Sequence, residues 1–172
     1  GSVNTPWLHP EATPHIRAAI LLRLAVLPYL YTQRWLASVD HAPVLRPTFF
    51  DFPDDPACQD DCDEMMVGPD LLVAPVFEPG ASERELYLPV DATTSAWCEF
   101  DTGFWHAAGQ RVRVAAPLGR LPLFVRAGAV IPTADVGEGA RATEEPSRVL
   151  RAFPTPAGRT SQSRPGTWIA AG

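Results

Sequence analysis

The residues whose types could carry acid–base chemistry are two pairs of adjacent carboxylates, Asp54-Asp55 and Asp60-Asp61. Two carboxyl groups facing one bond can divide the duties of acid and base between them. Neighbours on an extended chain point to opposite faces, however, and seldom converge on one substrate atom. Pro53-Asp54-Asp55-Pro56 also reads as a turn cluster, in which solvated turn and cap carboxylates are the ordinary finding. His9, His15, His41 and His106 are scattered, and none has an acidic partner at a helical or strand spacing that suggests a relay. No nucleophile-elbow signature and no Gly-rich phosphate loop stands in the chain. Cys58 and Cys62 are four apart and Cys98 is remote, which falls short of the four ligands of a structural zinc site. Buried or half-buried free thiols are the expectation, and they fit a reducing, cytoplasmic setting. No residue is assigned a catalytic, cofactor-binding or metal-binding role.

Composition narrows the class. The chain has 172 residues, enough for one full domain with its own core or a small domain plus an appendage. Its hydrophobic fraction of 46% is that of a globular protein. Net charge is 14 − 20 = −6, with no basic block, so there is no electrostatic footprint for nucleic acid. All 14 basic residues are Arg, which we read as a codon-usage signature without functional weight. No apolar run approaches the roughly 20 residues of a membrane span. No signal peptide is visible, and the chain opens on Gly1-Ser2, which we read as a cloning scar or a cut from a longer chain.

The elements that would position these residues follow from periodicity and punctuation. Thr13-Pro14 reads as an N-cap with Pro at the first helical position. Ile16, Ala19, Ile20, Leu24, Leu27 and Tyr31 then form a helical stripe, and Pro28 predicts a kink or break near Leu24–Leu27. Leu21, Leu22, Ala25, Val26 and Leu30 make the helix apolar on several sides, so it needs cover from more than one neighbour. It should end before Asp40-His41-Ala42-Pro43. Val44 to Phe52 reads as a strand with Pro47 at an edge or bulge, and Asp60 to Met66 as a short helical turn. Leu71 to Phe77 is a short apolar run that suits a strand covered on both faces. Glu83 to Leu88 alternates loosely, Ala96 to Phe100 turns back through Asp101-Thr102-Gly103, and Gln110 to Ala115 alternates cleanly. Leu121 to Val125 and Ala129 to Ile131 are the next strands. After Pro132 an acidic, Gly- and Ala-rich linker is expected over 133–145, one more strand over Ser147 to Phe153, and a largely disordered tail over 154–172.

The blocks in order resemble the C-terminal part of a glycoside hydrolase of family 31, the α-glucosidase and α-xylosidase family. Leu27-Pro28-Tyr29-Leu30-Tyr31 is similar to the end of the last helix of that family's (β/α)8 barrel. Pro43 to Pro56 resembles the start of the proximal sandwich. The run from Asp63 to Val76, containing Gly68-Pro69-Asp70-Leu71-Leu72-Val73-Ala74-Pro75, is the tightest match, and Tyr87-Leu88-Pro89 and Pro117 to Gly128 complete it. The resemblance implies a mainly β fold: an antiparallel β-sandwich preceded by a long N-terminal α-helix left over from a barrel. It divides the chain into 1–42 (barrel segment and helix), 43–132 (proximal sandwich) and 133–172 (linker and incomplete start of a distal β-domain).

The resemblance also implies the function of a parent enzyme: hydrolysis of α-linked glycosides with retention, acting on oligosaccharides. That chemistry needs two carboxyl groups about 5–5.5 Å apart, and the family's catalytic motifs are absent here. The chain's own role is therefore expected to be structural, with the barrel as packing partner and no cofactor, nucleic acid or membrane involved. Two alternatives stand beside it. A free-standing carbohydrate-binding module would need Trp97, Phe100, Phe104 and Trp105 exposed in a row, whereas large rings usually pack in cores. An inert product of a truncated gene would show a large exposed apolar helix face.

Overall fold

The computed structural model describes residues 5, 8–59, 63–136 and 147–156. The helical stripe forms α1 (Thr13–Ala25) and α2 (Leu27–Asp40), separated at Val26. Pro28 stands in the first turn of α2, where its missing N–H costs nothing, so the expected break starts a new helix. Thr13 is not the N-cap. It lies inside the helix, and its hydroxyl donates to the His9 carbonyl at 3.1 Å. α2 runs through Asp40 and stops at His41, which adopts a left-handed conformation at φ 60°.

A short strand β1 (Leu45–Pro47) follows, and the chain then winds into a single turn, α3 (Thr48–Asp51), rather than continuing as a strand. Thr48 and Phe52 are both buried while Phe49 and Phe50 are exposed. That is an i, i+4 pattern, closed by the Phe52 N–H on the Thr48 carbonyl at 2.9 Å. The helical turn expected over Asp60 to Met66 does not extend to Met65 and Met66. Pro56–Cys58 forms a 3-10 turn, with the Asp55 carboxylate accepting from the Ala57 N–H at 3.1 Å. Met65 and Met66 lie in β2 (Met65–Val67), and Asp60 to Cys62 fall outside the described residues.

The remaining strands are β3 (Leu71–Val73), β4 (Glu83–Leu88), β5 (Ala96–Glu99), β6 (Trp105–Ala107), β7 (Gln110–Ala115), β8 (Leu123–Arg126), β9 (Val130–Ala134) and β10 (Arg148–Ala152). β3 is shorter than expected. Pro75 has no N–H to extend the ladder, and Phe77 turns out to solvent. β9 carries on past Pro132 to Ala134 and pairs with β10, in register from Arg148↔Ala134 to Ala152↔Val130. The linker expected over 133–145 thus begins inside a strand, and most of it, with 157–172 of the tail, lies outside the described residues.

Among the described residues, one six-stranded antiparallel sheet runs β1-β2-β3-β8-β5-β6. Alternation sorts its side chains between two cores. Met66, Leu72, Trp97 and Phe124 point to one face, where they meet Phe52, Cys58 and the inward residues Leu86, Leu88 and Val114 of the β4–β7 pair. Leu71, Cys98, Leu123 and Val125 point to the other, where Tyr29, Val26, Ile131 and Phe153 cover them. The fold is a mainly β sandwich in which the central sheet packs on both faces.

Candidate interdomain surface

α2 is the element that ties the helices to the sandwich. Its buried residues are Tyr29 and Gln33, whereas α1 buries none of its own. The Tyr29 hydroxyl donates to the Val67 carbonyl at 3.0 Å and accepts from the Asp70 N–H at 3.2 Å. The Asp70 carboxylate lies 3.4 Å from the same oxygen. Gly68 makes this contact possible. Its φ is +61°, and a Cβ there would sit 2.4 Å from the Tyr29 hydroxyl and 2.7 Å from Gln33. Burial, and then the neighbouring Asp70, push the Tyr29 phenol well above its ordinary range. Burial also raises the Asp70 carboxyl, against the opposing hydrogen bond from Tyr29.

A second polar group lies beside this junction. The Arg46 guanidinium meets Asp51 at 2.8 Å and covers the Phe50 ring at 5.5 Å. Both side chains are nearly enclosed, and burial raises the Asp51 carboxyl. Arg126 crosses to Asp91 and Thr94 and stacks over Phe52 at 5.1 Å. Burial works against the Asp91 anion, but hydrogen bonds from Thr93 and Thr94 hold its carboxyl down at about 2.

The carboxylate pairs do not assemble a reaction centre among the described residues. Asp55 is buried, and its oxygens accept from Ala57 N–H, from the Tyr87 hydroxyl at 3.0 Å and from Val90 N–H at 2.9 Å. Its neighbour Asp54 is exposed to solvent. The histidines hold one pairing that the sequence reading missed. His106 Nε2 lies 2.8 Å from Glu99 Oε1, brought there by the β5–β6 hairpin. The signal was the Gly103 turn, which returns the chain beside Glu99. Glu99 Oε2 accepts from Thr102 at 2.9 Å and from Arg120 at 2.7 Å, so both oxygens are engaged. Burial opposes the Glu99 anion, yet the bonds from His106, Thr102 and Arg120 bring its carboxyl below the usual range. This is a closed structural network rather than a site open to substrate. His9 is exposed beside Glu11, and His15 packs against Gly119. Cys58 and Cys98 are buried and outside any disulfide among the described residues, and Cys62 lies outside those residues.

The aromatic group is core. Trp97, Phe100 and Trp105 are buried, and the Trp97 indole N–H donates to the Pro89 carbonyl at 2.8 Å. Phe104 alone of the four is exposed, at 44%. The row of rings that a sugar-stacking face requires is not formed.

The outer side of α1 and α2 differs. Ile20, Leu24, Leu27, Tyr31, Trp35 and Val39 recur every three or four residues, and all are exposed, Tyr31 at 75% and Trp35 at 58%. Ile20 and Leu24 belong to α1, and the other four to α2. Beneath α1 a cleft of about 750 Å³ opens, floored by Leu71, Val73, Phe100 and Leu123 and bordered by Arg23 and Arg120. Individual exposed apolar residues are commonplace, whereas six at helical spacing make a candidate contact surface.

Residues 41–131, from before β1 into β9, match the model of the glycosyl hydrolase family 31 C-terminal domain. The chain belongs to glycosyl hydrolase family 31. It is 36% identical over 152 residues to an α-xylosidase of Saccharolobus solfataricus, covering 87% of this chain and 20% of that protein. Against the human neutral α-glucosidase C the identity is 39% over 128 residues, covering 74% of this chain and 14% of that one. Among solved family 31 structures, a dextranase of Flavobacterium johnsoniae complexed with isomaltotriose superposes with a TM-score of 0.80 at 30% identity. It covers 90% of this chain and 19% of the dextranase. The α-xylosidase of Xanthomonas citri gives 0.73 at 35% identity, over 88% of this chain and 16% of the enzyme. The chain thus spans about a fifth or less of the length of these family 31 relatives.

Proposed function

We propose that this chain is the C-terminal structural part of a retaining α-glycosidase that hydrolyses α-linked glucosides or related glycosides in oligosaccharides. Its own task is to hold the last helices of a catalytic barrel against a β-sandwich. The observation that carries this reading is the division of the helices into two sides. Tyr29 and Gln33 lock α2 onto the Gly68 turn, while Ile20 to Val39 present an apolar stripe to the outside. A helix pair that is apolar on both sides expects cover on both.

Relatives several times longer, named as α-xylosidase and α-glucosidase, support a parent of that class. The sugar complex of the dextranase supports an oligosaccharide substrate for such a parent. The carboxylates of Asp55 and Glu99 are consumed by structural hydrogen bonds, which favours a supporting rather than a catalytic role.

The test is an assay of the purified chain on an aryl α-glucoside. Hydrolysis stays at the buffer rate. Turnover that disappears in Asp54→Asn or Asp55→Asn would overturn the structural reading.

A further inference from the structure

Where α2 meets the sandwich, one phenol hydrogen faces two acceptors. The Tyr29 hydroxyl lies 3.0 Å from the Val67 carbonyl and 3.4 Å from Asp70 Oδ2, and it accepts from the Asp70 N–H at 3.2 Å. A tyrosine has a single O–H to give. The nearer acceptor, the Val67 carbonyl, takes it. An ionised Asp70 is then left beside the phenol oxygen at a distance beyond the usual O–H···O range of about 2.5–3.0 Å. A protonated Asp70 carries the missing hydrogen and donates it to that oxygen, so both contacts are made together. From this shortage of one hydrogen we propose that Tyr29 and Asp70 form a proton-operated latch, which holds α2 on the sandwich more firmly when the Asp70 carboxyl is neutral. This device goes beyond the structural role proposed above and does not depend on it.

The surroundings favour such a latch. The backbone of Asp70 is held on both sides, its N–H on Tyr29 and its carbonyl accepting from the Arg126 N–H at 2.9 Å. The titratable and charged groups facing its carboxyl are Tyr29 on α2, Arg46 on β1, Asp51 on α3 and Arg126 on β8. Both guanidiniums favour the Asp70 anion, but each is bonded elsewhere. Arg46 meets Asp51 at 2.8 Å, and Arg126 donates to Asp91, Thr93 and Thr94. Among the described residues neither donates to the Asp70 carboxylate. Burial outweighs both cations and the phenol, and it holds the carboxyl above its ordinary 3.8. A carboxyl raised in the folded state adds stability that is complete below its unfolded value and is lost as pH rises through its folded value. The latch is therefore closed in acid and loosens as Asp70 ionises. Its effect falls on α2 because Tyr29 and Gln33, both against the Gly68 turn, are the residues that helix buries.

Amide hydrogen exchange of the chain reads the latch directly. Rates are taken at about pH 4 and about pH 8, corrected for intrinsic exchange, with β8 as the internal reference. Protection of α2 relative to β8 should be higher at the acid pH by up to about tenfold, the worth of one hydrogen bond. Asp70→Asn places an amide donor where the protonated acid would donate. It should hold α2 at the acid level of the wild type at both pH values. Tyr29→Phe should also remove the difference, but at or below the level the wild type shows at the higher pH. Circular dichroism checks that each variant is folded, and Asp70→Asn decides alone if Tyr29→Phe is not.

Equal protection of wild-type α2 at the two pH values would overturn the proposal. So would an Asp70→Asn variant that settles at the weaker level. A pH dependence that persists in Asp70→Asn would assign it to another group, Asp51 first, and would overturn the proposal as well. None of these results bears on the hydrolysis assay, which tests the structural reading separately.

Discussion

The central sheet and the helices that lie on it make opposite use of apolar residues. Every layer of the sheet is covered by its own chain: β4 and β7 close one face, and α2, β9 and β10 close the other. Among the described residues the helices are covered on one side, and their other side carries Tyr31 and Trp35 largely exposed. A stable sandwich can be specified by local alternation, since each strand finds its cover within about a hundred residues. The helix pair carries apolar residues in excess of what the other described residues bury. The contrast predicts that substitutions will be costly at the closed faces and nearly silent at the open one.

The largest effect is expected at Trp97, which is fully buried and bonded to Pro89. Trp97→Ala should lower unfolding free energy by about 3–5 kcal/mol in a denaturant titration. Gly68→Ala comes next, at about 2 kcal/mol, because the added methyl meets Tyr29 and the backbone sits at positive φ. Faster amide exchange in α2 than in β8 would show that the loss lies in helix docking.

An intermediate effect is expected from acid. A carboxyl depressed in the folded state contributes stability above its unfolded value and loses it as pH falls through its folded value. For Asp91 that window runs from the ordinary 3.8 down to about 2. Its partial exposure screens the gain to about 1 kcal/mol. Asp91→Asn should therefore lower stability above pH 4 and flatten the acid limb. Asp51 and Asp70 act with the opposite sign: their raised carboxyls favour the folded state when protonated, and that contribution is lost as pH rises.

At the open face, Trp35→Ser should change stability by less than about 0.5 kcal/mol and raise solubility. A loss comparable to Gly68→Ala would mean the stripe is buried by the chain itself.

The sequence made parts of this contrast legible, and for physical reasons. Alternation at Gln110–Ala115 and the apolar run from Leu71 to Phe77 disclosed strands, the second forming only over Leu71–Val73. Pro28 disclosed the helix break. Thr48–Phe52 was misread as strand because its aromatic, β-forming residues outweighed the four-residue spacing of the two side chains that are buried. The Glu99–His106–Arg120 network was hidden because its members are seven and twenty-one residues apart and meet only through the β5–β6 and β5–β8 pairings. The docking of Tyr29 against the Gly68 turn was equally out of reach, since a contact spanning about forty residues leaves no local period. The exposed stripe itself was visible as an excess of apolar residues, but which half of it faced outward required the fold.

The central claim is that the outer face of α1 and α2 carries the chain's function as a contact surface. Its most direct test replaces the matching C-terminal part of the Saccharolobus solfataricus α-xylosidase with this chain and measures hydrolysis of an aryl α-xyloside. The account predicts an active chimera whose activity and melting temperature fall sharply with Tyr31→Glu and Trp35→Glu, substitutions that leave the fold of the isolated chain intact. A chimera indifferent to those two charges would contradict it.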